Sequence, residues 1–433
     1  MSQKLHELAV ELNNTLGANG SPIASMLSEK GLRSYFPSRG ILGQSAEAKD
    51  SMINATIGTA FENDGSPLTL ECLADIVSLD RKAFLYTPSY GLPALRQKWR
   101  TMMLEKNPSL KDKSFSMPVV TQALTHGLSI ASLLFIDEND AVILPDLYWD
   151  NYELLMHEGY GARFTTFPMF ENDHFNTAGL EQLLMSEGEK KIVLLNFPNN
   201  PTGFTASYKC AAGIIDVIKR AAESGKKIVV LVDDAYFGLV YEEGIQRESL
   251  FPELAVCHDN VLAVKLDGPT KEDYVWGFRT GFITFGSKSC TAQQYTALEA
   301  KAAGCVRGSI SNTSSLAQYF LLNIYDLPEY REQKLNKYNT LKERYLRIRA
   351  IFAEHPEYAN SFKPMPFNSG YFMCVKPTNE VDPEKVRCHL LAKYSTGVIV
   401  LSGLIRIAFS SVPIDKLDLL FANVHNAIQD LQS

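Results

Sequence analysis

Between about residues 115 and 286, short aliphatic and β-branched runs alternate with longer stretches whose apolar residues recur at helical spacing. That alternation predicts parallel strands joined by crossover helices. Strands are expected at 118–122, 141–144, 163–167, 191–196, 228–233, 261–266 and 280–285. Most are too continuously apolar for a sheet with one wet face, so both faces should be covered. Helical period and length predict the covering elements at 127–136, 152–158, 177–186 and 208–224. Residues 287–302 and 311–325 read as further helices, and 330–355 as a long charged helix leading out of the sheet domain.

After Pro364 the pattern becomes α+β, with strands expected at 370–375 and 404–410 and helices at 383–393 and 414–432. The expected fold class is therefore α/β: a large domain with a mostly parallel seven-stranded sheet covered by helices, plus a smaller α+β domain. The expected division is an N-terminal segment, 1–60, that crosses over to join the small domain, a large domain, 61–325, and the C-terminal part of the small domain, 326–433.

Composition narrows the class. The chain has 433 residues, 45% apolar and 21% charged, which is ordinary for a globular protein and rules out disorder. Lys plus Arg is 42 against 49 for Asp plus Glu, and a net acidic chain lacks the basic face that sequence-independent nucleic-acid binding needs. No apolar run approaches the roughly 20 residues needed to cross a bilayer. The opening MSQKLHELAVELNN has helical spacing and no secretory signal. Seven scattered cysteines, never closer than 14 residues, suggest neither a metal pair nor a disulfide framework, so a reducing cytoplasm is expected. The eight histidines form no HExxH or other ligand spacing, and no metal is expected. A nicotinamide-binding turn is also missing: Gly159-Tyr160-Gly161 lies between a helix and a strand, the wrong order, and has no third glycine.

Chemistry gathers at three consecutive strand ends. NFPNNPTG, 196–203, follows an apolar strand at the sheet edge where ligands bind in open α/β folds; alone it would also serve as an Asn-Pro turn. The next strand ends in VDDAYFG, which brings Asp233 and Tyr236 to the same edge, although an aspartate there can simply cap a turn. The third ends before Lys271, with Arg279 eight residues on. A lysine in a crevice can lose its proton and attack a carbonyl carbon, whereas a surface lysine cannot do so usefully.

Asn-Pro-Thr-Gly, then Asp-x-x-Tyr, then Lys with Arg-x-Gly eight residues later resembles the fold-type I pyridoxal-phosphate enzymes, and within them the class I aminotransferases of the aspartate and aromatic type. The resemblance extends over most of the chain. It implies that Lys271 holds pyridoxal 5'-phosphate as a Schiff base and transfers the proton. Asp233 would pair with the ring nitrogen, Asn200 and Tyr236 would bond the ring hydroxyl, and Arg279 would grip the phosphate. TQALTHGL, 121–128, matches the phosphate loop, with Ala123, Leu124 and Thr125 in contact, and LPDLYWDNY, 144–152, puts Trp149 on the ring. YTPSYGLPALR nominates Tyr86 for the phosphate of the neighbouring subunit, which would make the active site a property of a homodimer.

On the substrate side, LIRIAF places Arg406 where the family clamps the α-carboxylate, with Trp149 and Asn200 beside it, and NATIGTAFENDG puts Ile57 and Gly58 at the entrance. VRGSISN, 306–312, reproduces the spacing of an arginine that reaches across the dimer to a distal carboxylate, here Arg307 with Ser311 and Asn312. An aspartate-like donor is thereby favoured, with aromatic donors as the other class, 2-oxo acids as acceptors and ping-pong kinetics. Three departures stand out: Thr313-Ser314 in place of Pro-Pro, Gly268 in place of a phosphate-binding serine, to be compensated by Thr270 or a backbone amide, and Tyr152 where aspartate aminotransferases carry a histidine. A lyase or decarboxylase of the same fold is the nearer alternative, since the same groups serve it. A non-catalytic regulator would be expected to lose Lys271 or Arg406, and both are present.

Overall fold

The computed structural model describes residues 5–16, 18, 24, 27–35, 39–74 and 81–432. Its large sheet has seven strands: β1 (Val119–Thr121), β2 (Ala141–Pro145), β3 (Arg163–Phe167), β4 (Lys190–Asn196), β5 (Lys227–Asp233), β6 (Val261–Asp267) and β7 (Gly281–Gly286). Their order is β1-β7-β6-β5-β4-β2-β3. Every pairing is parallel except the two made by β7, which runs antiparallel to β1 and β6.

Burial on both faces explains the uninterrupted apolar runs. On β4, Ile192 and Leu194 join a core with Leu128, Leu231 and Phe285, while Val193 and Leu195 join another with Ile214, Val230 and Phe282. Side chains alternate between the faces of a strand, so two covered faces leave no polar alternation. The helix Tyr208–Glu223 covers one face, its first turn capped by the Ser207 hydroxyl, which accepts from the Cys210 amide at 3.2 Å. The helix Ala292–Ile310 packs into the other core and opens on a capping box between Thr291 and Gln294.

The smaller sheet comprises β8 (Phe362–Pro364), β9 (Met373–Pro377), β10 (Ile399–Leu401) and β11 (Leu404–Ile407), antiparallel throughout in the order β8-β9-β11-β10. The N-terminal segment reaches it: Ile53 and Asn54 pair in parallel with Thr396 and Gly397, and the Gln44 amide bonds both the N–H and the C=O of Val400. From the long helix Tyr330–Glu354, the buried Arg344 donates to the carbonyls of Phe61 and Ser410. Among the described residues no helix is long and apolar enough to cross a membrane.

Several boundaries differ from the sequence expectation. The helix expected from 127 begins at Ala123, directly after β1 and Gln122. Ala123 takes a left-handed φ of +59°, a conformation that hydrophobic period cannot reveal. The helices expected at 287–302 and 311–325 are Ala292–Ile310 and Ser315–Tyr325, so Arg307 lies in a last turn. Strands expected at 370–375 and 404–410 are Met373–Pro377 and Leu404–Ile407. Residues Glu153–Glu158 form a π-helical stretch rather than a regular α-helix. The strand expected at 280–285 is Gly281–Gly286, and Arg279 precedes it in the left-handed region at φ +50°.

Candidate active site

Strand register brings the chemistry into one row. Asn196 at the end of β4 pairs with Asp233 at the end of β5, and Asp233 with Leu266 of β6. Lys271 follows β6 on the short helix Pro269–Glu272. Between β2 and β4 the chain reverses its direction of travel across the sheet, opening a crevice at the carboxyl ends of the strands. Trp149 enters it from the segment after β2 and Asn200 from the turn after β4.

The turn 197–203 is held from within and from the small domain. Asn199 Oδ1 accepts from the Thr202 amide at 3.0 Å and the Thr202 hydroxyl at 2.7 Å, and the Asn200 amide donates to Asn196 Oδ1 at 2.8 Å. Gly203 has φ +70°, and its carbonyl accepts from the amides of Asn368 and Ser369 at 2.9 Å each. A Cβ there would fall 1.9 Å from the Phe372 carbonyl oxygen, so glycine is required by both conformation and contact.

A cavity of about 360 Å³ lies at this edge, lined by residues of both sheets' connections and of the N-terminal segment. Asp233 is buried on its floor; the Tyr152 hydroxyl donates to its Oδ2 at 2.6 Å and the Ala235 amide to its Oδ1 at 3.0 Å. Burial raises the Asp233 carboxyl, and the Tyr152 hydrogen bond and the Lys271 charge pull it back. Lys271 Nζ stands over the Tyr236 ring, 4.9 Å from its centroid. Burial lowers the Lys271 ammonium to about 8, with Asp233 opposing and Arg279 assisting that shift.

Arg406 lines the same cavity from the small sheet. It lies on β11 between Cys374 of β9 and Ile399 of β10, and is 3% exposed, so it is not an edge-strand charge facing water. Its Nη1 donates to Asn200 Oδ1 at 3.2 Å and its Nη2 to the Thr56 carbonyl at 3.3 Å, while its Nε finds no partner among the described residues. The guanidinium stacks on Phe372 at 4.5 Å. Among the described residues no carboxylate is ion-paired with this buried cation, Asp150 acting on it only through its charge, so the site suits an anion.

Of the residues singled out in the sequence, Ile57, Gly58, Ala123, Leu124, Thr125, Trp149, Asn200, Asp233, Tyr236, Lys271, Arg279 and Arg406 line this one cavity. Tyr86 and Arg307 do not: Tyr86 is 92% exposed, and the exposed Arg307 bonds the Ser311 hydroxyl at 2.8 Å. The two belong to one stretch of surface, since Ser89 and Thr87 donate to the carbonyls of Ser311 and Thr313. The cavity also takes in Ile41, Leu42, Thr56 and Phe372, which motif reasoning missed, because only tertiary packing brings distant loops to the crevice. Tyr152 was visible as a departure from the family pattern; its position three residues after Trp149 on one helical turn was the signal that it shares the site. Among the described residues no group of three or more His, Cys, Asp or Glu could hold a metal ion.

Comparison with known proteins agrees with this fold. A family model described as aminotransferase class I and II matches residues 61–423. An aspartate aminotransferase of Thermotoga maritima is 25% identical over 307 residues, 70% of this chain and 75% of that protein. An aminotransferase from Anaerococcus prevotii superposes with a TM-score of 0.81 at 22% identity, covering 92% of this chain and 98% of the other. An aromatic aminotransferase from Pyrococcus horikoshii gives a TM-score of 0.73 at 16% identity, covering 90% and 99%. At these identities the two solved structures establish the shared fold.

Proposed function

We propose that this chain, which belongs to the class I and II aminotransferases, uses pyridoxal 5'-phosphate to move an amino group from an L-amino acid to a 2-oxo acid, with an aspartate-like dicarboxylic donor favoured over an aromatic one. The observation that carries this reading is that one cavity is lined by a lysine of lowered pKa beside a buried carboxylate and by a buried arginine that, among the described residues, is ion-paired with no carboxylate.

The residues present fit the cofactor. Lys271 would hold its aldehyde carbon, Asp233 its ring nitrogen, Asn200 and Tyr236 its ring hydroxyl, and Trp149 its face. The first-turn amides of the helix Ala123–Phe135, at Ala123, Leu124 and Thr125, together with Arg279, suit a phosphate dianion. When bound, the cofactor supplies an electron sink that stabilises the charge left when a Cα proton departs.

Around that sink the chain's own groups do the orienting and the proton transfer. Arg406 would hold the substrate α-carboxylate through its guanidinium, which Asn200 and the Thr56 carbonyl already fix in place. That fixes the Cα–H bond relative to Lys271. The Lys271 amine, largely able to shed its proton near pH 8, would take the Cα proton and deliver it again. Tyr152 keeps a hydrogen bond on Asp233 that favours the carboxylate, and a carboxylate favours a protonated ring. Donor and acceptor use the same site in turn, so ping-pong kinetics are expected.

The dicarboxylate preference rests on Arg307 reaching a neighbouring subunit's cavity, together with Tyr86. The surface that carries both supports a homodimer: Phe84, Leu85 and Tyr86 are 76%, 65% and 92% exposed, a contiguous apolar stretch that begins on the short helix Arg81–Phe84, which lies against the helix Ser315–Tyr325. We take the chain as a large cofactor-binding domain, 61–325, and a small domain built from 1–60 and 326–433, working on small molecules in the cytoplasm.

The test is an absorbance spectrum of the protein with pyridoxal phosphate, before and after adding L-aspartate alone. The yellow band should be bleached and then restored by 2-oxoglutarate, and Lys271→Ala should abolish transamination. A band that persists with aspartate but bleaches with an aromatic amino acid would reverse the substrate preference. Near-normal turnover by Lys271→Ala would overturn the mechanism.

A further inference from the structure

A second lysine is buried in the large sheet, and it takes no part in the cavity. Lys265 lies on β6 between β5 and β7 and is 1% exposed. Its Nζ donates to Asp234 Oδ2 and, at 3.1 Å, to Asp267 Oδ2. The Ser249 hydroxyl also donates to Asp234 Oδ2, at 2.6 Å, and the Trp99 indole to Asp267 Oδ1, at 3.1 Å. None of the three charged residues lines the cavity. Taking such charges out of water is costly, and apolar residues of the same volume are often as stabilising or more so, so stability gives no reason for a lysine here.

What the bridge joins is the row of chemistry at the strand ends. Asp234 follows Asp233, whose register partner on β6 is Leu266, the residue after Lys265. Asp267 ends β6, and Gly268 alone separates it from the short helix that carries Lys271. Lys265 thus ties the residue after Asp233 to the residue from which the lysine turn departs. Beyond Lys271 the turn is pinned in the same way. Glu272, 4% exposed, pairs with Lys106 at 2.9 Å and with Lys334 at 2.7 Å, and Lys334 also pairs with Asp273 at 2.8 Å. Burial raises the Asp233 carboxyl, and the Lys265 charge is among those that oppose it.

We propose that Lys265 is a positioning residue: through Asp234 and Asp267 it holds the Asp233 carboxylate and the Lys271 amine in register with each other, without touching substrate or cofactor. This rests on the pyridoxal-phosphate reading above. Asp233 and Lys271 would both hold the cofactor, whereas Arg406, which would hold the donor's carboxylate, stands on the other sheet. Loosening the bridge should therefore slow the reaction of bound donor and leave donor binding alone, since a misplacement of about 1 Å can cost on the order of a hundredfold in rate.

Lys265→Met removes the bridge, and Lys191→Met is the matched control. Lys191 is also buried in this sheet, 6% exposed, but it sits near the amino end of β4, bonded to the Ser186 hydroxyl at 2.8 Å and the Glu187 carbonyl at 2.7 Å and away from the cavity. The rate is that of bleaching by whichever of L-aspartate and L-phenylalanine bleaches the unaltered protein. Lys265→Met should lower the maximal rate about ten- to hundredfold and leave the half-saturating donor concentration within about twofold; Lys191→Met should change neither. A second readout needs no turnover. Besides burial, the groups acting on the Lys271 ammonium are Asp233 and Arg279, so a displaced Asp233 should lower the pH midpoint for capture of pyridoxal phosphate by the cofactor-free protein. Asp267→Asn keeps the shape and the acceptor for Trp99, should show both changes to a smaller degree, and decides the matter if Lys265→Met does not fold. Loss of stability alone, as in Lys191→Met, with rate and midpoint unchanged, would overturn the proposal. So would weaker donor binding at an unchanged maximal rate. Failure of the unaltered protein to capture pyridoxal phosphate would instead overturn the cofactor reading, and this assignment with it.

Discussion

Lys271 is governed by opposing forces whose balance can be measured. Burial and Arg279 disfavour its ammonium, Asp233 favours it, and the outcome is a group lowered to about 8. Capture of an aldehyde needs the neutral amine. In the cofactor-free protein the rate of pyridoxal phosphate capture should therefore rise with pH through a midpoint near 8, and Asp233→Asn, by removing the raising charge, should move that midpoint lower. A midpoint near 10, that of an ordinary lysine, would contradict the site electrostatics. The same shift sets a direction for stability. The folded group titrates below its unfolded counterpart, so between about pH 8 and the unfolded value near 10.5 the unfolded chain binds more protons and folding becomes more favourable as pH rises.

At the scale of elements, the turn 197–203 shows how a motif legible in the chain acquires its job from a neighbour. Asn199 and Thr202 close the turn locally, but the amides of Asn368 and Ser369 on Gly203 lock it to the segment that leads into β9. Gly203→Ala should cost about 1 kcal/mol for the left-handed backbone and a further 1–3 kcal/mol or so for displacing the Phe372 carbonyl. Gly188→Ala is the matched control: φ is +88° and nothing lies within 4 Å of the added Cβ, so only the conformational part remains. Urea denaturation of both should show the larger loss at 203; equal losses would mean that the contact with the small domain contributes nothing.

At the scale of the whole molecule, the cavity of one chain is built without Tyr86 and Arg307, and both stand on a surface whose apolar stretch at 84–86 suits a second copy. If Arg307 serves the partner's site, chains carrying Lys271→Ala and chains carrying Arg307→Ala complement each other. Random pairing makes half the dimers mixed, each with one complete site, so the mixture should regain about a quarter of the unaltered aspartate activity. Arg307→Ala alone should lower the efficiency for aspartate by one to two powers of ten, on the order of 1.5–3 kcal/mol, and spare aromatic donors. A mixture no more active than its components would place Arg307 outside the neighbouring site.

The sequence by itself determined the layering of the large domain and the row of chemistry along its edge. Continuous apolar strands require two covered faces, and Asn196 and Asp233 end such runs, so strand pairing aligns them, with Lys271 four residues beyond the end of the next strand. Arg406 was legible as an odd charge between Ile405 and Ile407, but its burial was not, because that depends on β11 lying between two other strands. Only the tertiary structure decided that Ile41, Leu42, Thr56 and Phe372 complete the cavity and that Tyr152 supports Asp233. It also decided the helix start at Ala123 and the glycines at 268 and 281, where left-handed backbone and close approach of chains distant in sequence leave no periodic trace. Local pattern records what a residue does for its own strand or helix; contacts between segments far apart in the chain are fixed by how the two sheets and the N-terminal segment pack around the crevice.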